Sequence, residues 1–125
     1  MKDRFKLRAW SDEYNRYLDK DDIYNETLAT DYSIYTLLEF YVESNKFTFE
    51  QCTGLKDKNG KLIYEGDIVE THDYTTEHSQ IVFDKGCYVL KSKDVAMYEH
   101  LSAYQEKCKI IGNIHENPEL LEEDK

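Results

Sequence analysis

The 125-residue sequence predicts a mainly β fold, a β-rich α+β domain built as a small barrel. Three observations predict it. Apolar and polar residues alternate with the period of a strand in several short stretches. Turns that contain glycine separate these stretches, as they do in hairpins. A helical spacing of apolar residues is clear in residues 94–107, which predicts a single helix.

The N-terminal residues predict a strand followed by a turn. In "RFKLRAW", residues 4–10, Phe5, Leu7 and Ala9 point to one face, whereas the basic side chains and Trp10 point to the other. The polar residues that follow predict a turn, and "YLD" at 17–19 begins a returning strand.

Residues of about 19–46 are expected to form a variable insertion. Within it, "IYTLLEFYV" at 34–42 leaves helix and strand both open. Its apolar positions follow a helical stripe, whereas its content of Tyr, Phe and Thr favours a strand.

The stretch "TGLKDKNGKLIYEGDIV", residues 53–69, is the most specified part of the chain. Asn59-Gly60 predicts a hairpin turn because both residue types tolerate positive φ. Gly66 lies inside an apolar run, where it predicts a bulge or a sharp bend. A strand, a bend and a second strand form the corner of a small barrel, so this stretch is expected to have a structural role.

A second hairpin is predicted at "QIVFDKGCYVL", residues 80–90, with Asp84-Lys85-Gly86 at its tip. In the helix predicted at 94–107, Met97 and Leu101 lie on the apolar face and Asp94 is the candidate N-cap. "KIIGNI" predicts a last strand, which Asn117-Pro118 ends.

Together these elements predict one domain over residues 1–125, with a motif core at 47–121 and a frayed acidic tail at 122–125. The expected architecture is a small SH3-like or partly open β-barrel with one helix packed on it. The residues with a structural role in turns are Asn59, Gly60, Glu65, Gly66, Asp67, Gly86 and Pro118.

The net charge and the cysteine content limit the functions that the protein can have. The 26 acidic and 16 basic side chains give a net charge of -10, which opposes non-specific binding to nucleic acid or to anionic membranes. Cys52, Cys87 and Cys108 form no metal or disulfide motif and are expected to be reduced thiols. The sequence contains no signal peptide and no long apolar run, so a soluble cytoplasmic protein is expected.

Two polar clusters deserve a chemical interpretation. His72, Asp73, Glu77 and His78 fall in a predicted loop over 71–79, and such residue types suit zinc or manganese. Their spacing matches no metal motif, so neither a metal nor another cofactor is expected, although the loop leaves that question open.

The adjacent acids Glu65 and Asp67 suit general acid–base chemistry in principle. Beside Gly66 in a tight turn, they are expected instead to face solvent or to accept hydrogen bonds from backbone N–H groups. A Cys–His nucleophile would need Cys87 near a histidine with an orienting group, and the sequence does not require this. We therefore expect no catalytic residue and no enzymatic activity.

Three segments resemble one family. "QCTGLKDKNGKLIYEGDIV" at 51–69, "IIGNIHENPELL" at 110–121 and "FKLRAW" at 5–10 are similar to signatures of the YopX-like family of small phage and prophage proteins of Gram-positive bacteria. Cys52 and His115 stand where aromatic residues are more usual. The resemblance implies a β-rich, barrel-like phage accessory protein in the cytoplasm of a bacterial host, and it implies no catalytic residue, substrate or cofactor.

An excess of tyrosine favours binding to other molecules. Of the 11 tyrosines, several fall in the first third of the chain, either at an interface or across a sheet face. The candidate interaction surface consists of Arg4, Arg8, Trp10, Tyr14 and Tyr17.

These features favour a non-enzymatic module that binds a host or phage protein or associates with itself as a homo-oligomer. One alternative is an acidic inhibitor of a host nucleic-acid-binding or defence protein. The other is a single-stranded nucleic-acid binder that uses the N-terminal basic and aromatic residues, which the net charge disfavours.

Overall fold

The computed structural model describes residues 6–19, 47–72, 76–92 and 99–122. Strands account for 59% of these residues, so the predicted mainly β fold is confirmed. The chain divides into two compact units, one formed by Met1–Lys6 with Gln51–Lys125 and the other by Leu7–Glu50. The single domain over residues 1–125 stays a prediction.

In the unit Leu7–Glu50, strands β1 (Leu7–Ser11) and β2 (Arg16–Tyr17) form an antiparallel hairpin in which Trp10 lies opposite Tyr17. Asn15, with φ 56°, closes its turn. The first residues of β3 (Phe47–Lys56) lie beside β1.

The alternating burial expected along β1 is wrong. Leu7 is 55% exposed, whereas Ala9, Trp10 and Ser11 are buried in succession. The reason lies in the hairpin: Tyr17 packs edge-on against Trp10 at 5.1 Å between ring centroids, so this face is covered as well. Arg4 and Phe5, at the start of the predicted strand, lie outside the described residues, as do residues 34–42.

In the other unit, β3 continues to Lys56 and pairs with β4 (Leu62–Tyr64), with an irregular register between Cys52 and Lys56. The intervening loop is longer than a two-residue turn. Of the pair Asn59-Gly60, Gly60 alone has positive φ, at 83°.

A five-stranded antiparallel sheet follows, in the order β8-β7-β6-β5-β9, and it curls as half a barrel. Its strands are β5 (Asp67–His72), β6 (Thr76–Asp84), β7 (Cys87–Lys91), β8 (Glu99–His100) and β9 (Cys108–Asn113). The loop predicted over 71–79 is wrong at its ends, because Thr71 and His72 still belong to β5 and β6 begins at Thr76. Residues 73–75 lie outside the described part.

The helix predicted over 94–107 is much shorter. Helix α1 (Leu101–Tyr104) has four residues and is followed by a first 3₁₀ helix (Gln105–Lys107). Glu99 and His100, expected to be helical, instead pair with β7. Of the residues in α1, only Leu101 is buried, so a longer helix would gain little packing. Asp94 and Met97 lie outside the described residues.

The core of this unit lies on one face of the curled sheet. Six elements, β4, β5, β6, β7, α1 and β9, each contribute one buried apolar residue to it. These residues are Ile63, Val69, Ile81, Leu90, Leu101 and Cys108. The chain then forms a second 3₁₀ helix (Pro118–Leu121), which lies against β6.

Candidate functional site

The signature stretch around Asp57 is organised by that carboxylate. Its Oδ1 accepts hydrogen bonds from the backbone N–H groups of Asn59 at 2.9 Å and Lys61 at 3.0 Å, and its Oδ2 accepts one from Ile110 at 2.9 Å. Burial alone would raise the pKa of Asp57, but these three hydrogen bonds and the charge of Lys61 lower it overall. Through these hydrogen bonds, Asp57 connects the loop between β3 and β4 to β9.

The adjacent acids Glu65 and Asp67 also bind backbone. Asp67 is 3% exposed, and its Oδ2 accepts a hydrogen bond from the N–H of Tyr64 at 2.8 Å. Glu65 Oε1 accepts one from the N–H of Gln51 at 3.4 Å. Gly66 lies between the two acids with φ 91°. Both carboxylates of the pair thus accept a hydrogen bond from a backbone N–H group.

The C-terminal signature forms a compact turn after β9. Asn113 Oδ1 accepts hydrogen bonds from the N–H groups of His115 and Glu116, and Asn117 Oδ1 accepts one from the N–H of Asn113. Pro118 then starts the second 3₁₀ helix, where its missing N–H costs no hydrogen bond.

The tip of the β6–β7 hairpin consists of Lys85 and Gly86, with φ values of 52° and 85°. Two successive positive φ values are typical of a type I′ turn. The positive-φ pair that the sequence suggested at Asn59-Gly60 is therefore found here, with Asp84 as the last residue of β6.

Three members of the predicted interaction surface pack together beside Glu50: Trp10 is buried, and Arg8 and Tyr17 are partly exposed. Glu50 is 3% exposed, and its Oε1 accepts hydrogen bonds from Arg8 Nε at 2.8 Å and from the Tyr17 hydroxyl at 2.9 Å. The Arg8 guanidinium lies over the Tyr17 ring at 4.4 Å, and Trp10, which packs on the same ring, is 2% exposed. These contacts define a packed ionic and aromatic cluster.

The remaining two members differ. Tyr14 is 43% exposed and lies 5.3 Å from the Arg16 guanidinium. Arg4 lies outside the described residues.

A cluster of two histidines and a carboxylate lies on β5 and β6, and sequence reasoning missed its central residue, Glu70. Glu70 Oε1 accepts a hydrogen bond from His72 Nε2 at 2.8 Å, and Glu70 Oε2 lies 3.1 Å from His78 Nε2. The hydrogen bonds from His72 and His78 lower the pKa of Glu70. Alternation along β5 places Glu70 and His72 on one face, which was the available signal, whereas the strand register places His78 opposite Glu70.

The outer nitrogens of both imidazoles are also bound. His72 Nδ1 lies 3.0 Å from Thr76 Oγ1, and His78 Nδ1 lies 2.9 Å from the carbonyl oxygen of Leu120. Within the described ranges, no group of three or more His, Cys, Asp or Glu side chains is arranged to hold a metal ion. Asp73, which belonged to the loop predicted over 71–79, lies outside those ranges.

An open cleft of about 280 Å³ lies beside the second 3₁₀ helix. It is lined by Gln80, Lys91, Ser92, Leu121 and Glu122. Gln80 and Lys91 are direct partners across β6 and β7, so the floor of the cleft is the sheet itself.

The end of the β6–β7 hairpin carries an exposed aromatic side chain. Phe83 is 53% exposed and lies edge-on against Tyr88, with 5.0 Å between ring centroids. Two residues closer to the core, the corresponding pair is Ile81 and Leu90, and both are buried. Burial, followed by the charges of Glu65 and Cys52, raises the pKa of Tyr88. The apolar row of the core thus continues to the surface.

In the part of the chain that the structure describes, no helix has the length and apolar character needed to cross a membrane.

Comparison with known proteins gives a family and a fold. The sequence matches the family described as YopX protein over residues 6–122. A crystal structure of protein EF1440 from Enterococcus faecalis is similar, with 25% sequence identity, coverage of 93% of this chain and 96% of that chain, and a TM-score of 0.56. No curated protein matches the sequence. Because the family match extends over nearly the whole chain, including both signature stretches, the chain belongs to the YopX family.

Proposed function

We propose that this chain is a phage or prophage accessory protein that binds a protein partner in the bacterial cytoplasm and does not catalyse a reaction. The observation that carries the proposal is the exposed Phe83 beside Tyr88 at the end of the β6–β7 hairpin. Membership of the YopX family supports the phage context, because the resemblance of the signature stretches is to phage and prophage proteins.

Phe83 has the properties of an interface anchor. It extends the row that begins with the buried Ile81, and its ring is held by Tyr88, so little side-chain entropy remains to be lost on binding. Aromatic residues are enriched at the centres of interfaces because they bury a large area with few rotatable bonds. An exposed ring in this position would gain free energy from being covered by a partner.

The net charge of -10 favours a basic partner. Two copies of the chain would repel each other at the same charge, which weighs against self-association. A basic surface on a host nucleic-acid-binding or defence protein fits this charge, so an inhibitory role is a specific form of the same proposal. Direct binding of nucleic acid has less support, because Arg8 is engaged by Glu50 and Trp10 is buried.

Affinity capture with matched variants tests the proposal. The tagged wild type, Phe83→Ala and Leu7→Ala would each be expressed in a Gram-positive host and recovered with and without nuclease, and bound proteins would be quantified by mass spectrometry. Leu7 is the control because its exposure of 55% matches the 53% of Phe83. Circular dichroism checks that each variant is folded.

We expect one basic protein that the wild type and Leu7→Ala retain in near-equal amounts and that Phe83→Ala loses. Equal retention by Phe83→Ala would contradict the assignment of Phe83 as the anchor. Recovery that nuclease abolishes would favour the nucleic-acid alternative. Light scattering would show whether the wild type forms a dimer. A dimer that is lost in Phe83→Ala would mean that the partner is a second copy of this chain.

A further inference from the structure

The hydrogen-bond partners of His78 identify a second functional feature of the sheet, separate from the Phe83 end. We propose that the doubly protonated imidazole of His78 is a pH-dependent latch that holds the second 3₁₀ helix (Pro118–Leu121) on β6. The latch is closed when His78 carries two ring protons, and it opens when one is lost.

The partners of His78 require both protons. Its Nδ1 lies 2.9 Å from the carbonyl oxygen of Leu120, which can only accept a hydrogen bond. Its Nε2 lies 3.1 Å from Oε2 of Glu70, whose lowered pKa keeps it ionised and therefore also acceptor-only. A neutral imidazole has one N–H, so it can donate to one of these oxygens and must present a lone pair to the other.

His72 does not share this requirement. Its Nε2 donates to Glu70 Oε1 at 2.8 Å, while its Nδ1 faces the hydroxyl of Thr76, which can donate to it. Neutral His72 therefore satisfies both contacts. The two histidines of one cluster thus respond differently to the loss of a proton, and His78 is the one that touches the C-terminal segment.

The charged groups on the neighbouring elements set the environment of the latch. On β5 they are Glu70 and His72, and on β9 Lys109 lies opposite Glu70 in the register. The segment that the latch holds carries Glu119 and Glu122. A negative charge, the carboxylate of Glu70, lies in direct contact with His78.

The latch acts on a short segment. The second 3₁₀ helix has four residues, and the C=O of Leu120 is one of the terminal carbonyls that such a helix leaves without an internal partner. His78 supplies that partner. Because Leu121 and Glu122 line the 280 Å³ cleft, release of the segment would open the cleft along one side.

The direction of the response follows from the donors. At low pH His78 donates to both Leu120 and Glu70, and the segment is docked. As the pH rises through the range in which histidine loses its charge, about 5 to 8, one hydrogen bond is lost. The remaining proton stays with the ionised carboxylate of Glu70, which is a stronger acceptor than the neutral carbonyl of Leu120, so the bond to Leu120 breaks and the segment is released. The proposal does not depend on partner binding at Phe83, so either can fail alone.

Nuclear magnetic resonance on the full chain tests the latch. Long-range ¹H–¹⁵N spectra give the protonation of each His78 ring nitrogen, and amide exchange gives the protection of Leu120 and Glu122, whose N–H groups bond to Asn117 and Glu119 within the segment. From pH 5.5 to 8.5, after correction for intrinsic exchange, we expect that protection to fall roughly tenfold to a hundredfold, as for the loss of one charge-assisted hydrogen bond.

Three variants make the result specific. In His78→Gln the protection should be low at every pH, whereas His72→Gln should keep the wild-type dependence. His100→Gln is the matched control, because His100 is exposed on β8. Constant protection in the wild type, or a pH dependence that survives in His78→Gln, would overturn the proposal. A response that EDTA abolishes and added Zn²⁺ restores would overturn it too, since it would replace the proton with a metal ion.

Discussion

The carboxylate of Asp57 accepts a hydrogen bond at 2.9 Å from the backbone N–H of Ile110, which lies 53 residues further along the chain. The next residue, Lys58, donates its own N–H to the carbonyl oxygen of Cys108 at 3.0 Å. Both contacts are made to β9, the last strand of the five-stranded sheet. Unpaired edge groups invite pairing with other chains, so the loop that follows β3 protects this edge as well as closing a hairpin.

Removing the Asp57 carboxylate should therefore destabilise the protein more than removing an exposed acid. Asp57→Ala leaves the N–H groups of Asn59, Lys61 and Ile110 without their acceptor. We expect a loss of about 2–3 kcal/mol in the free energy of unfolding, measured by urea denaturation at pH 7. Asp19→Ala is the control, because the Asp19 side chain is 65% exposed, and it should cost less than about 0.5 kcal/mol. Equal losses in both variants would contradict the role assigned to Asp57.

The contribution of Asp57 should depend on pH in one direction. Because the pKa of Asp57 is lowered in the folded state, its stabilisation is complete above the pKa of the unfolded chain, about 4. It is lost as the pH falls through the lowered pKa. The difference in unfolding free energy between wild type and Asp57→Ala should thus be constant from pH 7 to 5 and smaller at pH 3. Glu70, whose pKa is also lowered, is present in both proteins and cancels in that difference.

Besides the mainly β fold, the positions of several turns could be predicted from the sequence. Gly60, Gly66 and Gly86 all have positive φ, as their positions between strands indicate. What the pattern could not give was the acceptor that organises the first of these turns. Asp57 was missed because its third donor, Ile110, is distant in sequence and comes close only through the sheet.

The prediction of the helix was wrong, and Glu70 was not predicted, for a related reason. A helical spacing of apolar residues fits 94–107, yet Glu99 and His100 gain more by pairing with the edge of β7, so tertiary context overrides the local pattern. Glu70 escaped notice because its partner His78 is set by strand register, which the sequence does not state. The sequence pattern places Trp10 at the surface, whereas in the structure Tyr17 packs on it and it is buried, a contact that the pattern does not encode.

Gly112 should tolerate no side chain, because it lies against Asn117. A Cβ at Gly112 would be 2.5 Å from Asn117 Oδ1 and 2.9 Å from Asn117 Cβ. Gly112→Ala should cost about 1–3 kcal/mol of stability by urea denaturation. In an Asn117→Gly background the same change should cost less than about 0.5 kcal/mol, since its neighbour is gone. A strictly additive double variant would show that Asn117 is not the obstacle.

Arg8 should matter for folding rather than for binding nucleic acid. Arg8→Met removes the guanidinium that pairs with the buried carboxylate of Glu50 and should cost about 2–4 kcal/mol. Arg16→Met should cost under about 1 kcal/mol, because Arg16 is 49% exposed and its ion pair with Asp19 is long, at 3.9 Å. Thermal and urea unfolding measure both. Unchanged stability of Arg8→Met with reduced retention on a single-stranded oligonucleotide would instead support the nucleic-acid alternative.

The three cysteines should differ in reactivity because their burial differs. Burial, followed by the nearby charge of Asp57, raises the pKa of the Cys108 thiol to about 11. At pH 8 only roughly one molecule in a thousand would carry its thiolate, the form that reacts with disulfide reagents. Cys52 is buried as well, whereas Cys87, at the start of β7, is partly exposed. In the native protein an aromatic disulfide reagent should therefore label one thiol rapidly, and Cys87→Ser should abolish that phase. All three thiols should react in denaturant. Rapid labelling of Cys108 in native Cys87→Ser would mean that α1 and β9 open readily, against the closed core that Cys108 shares with Leu101.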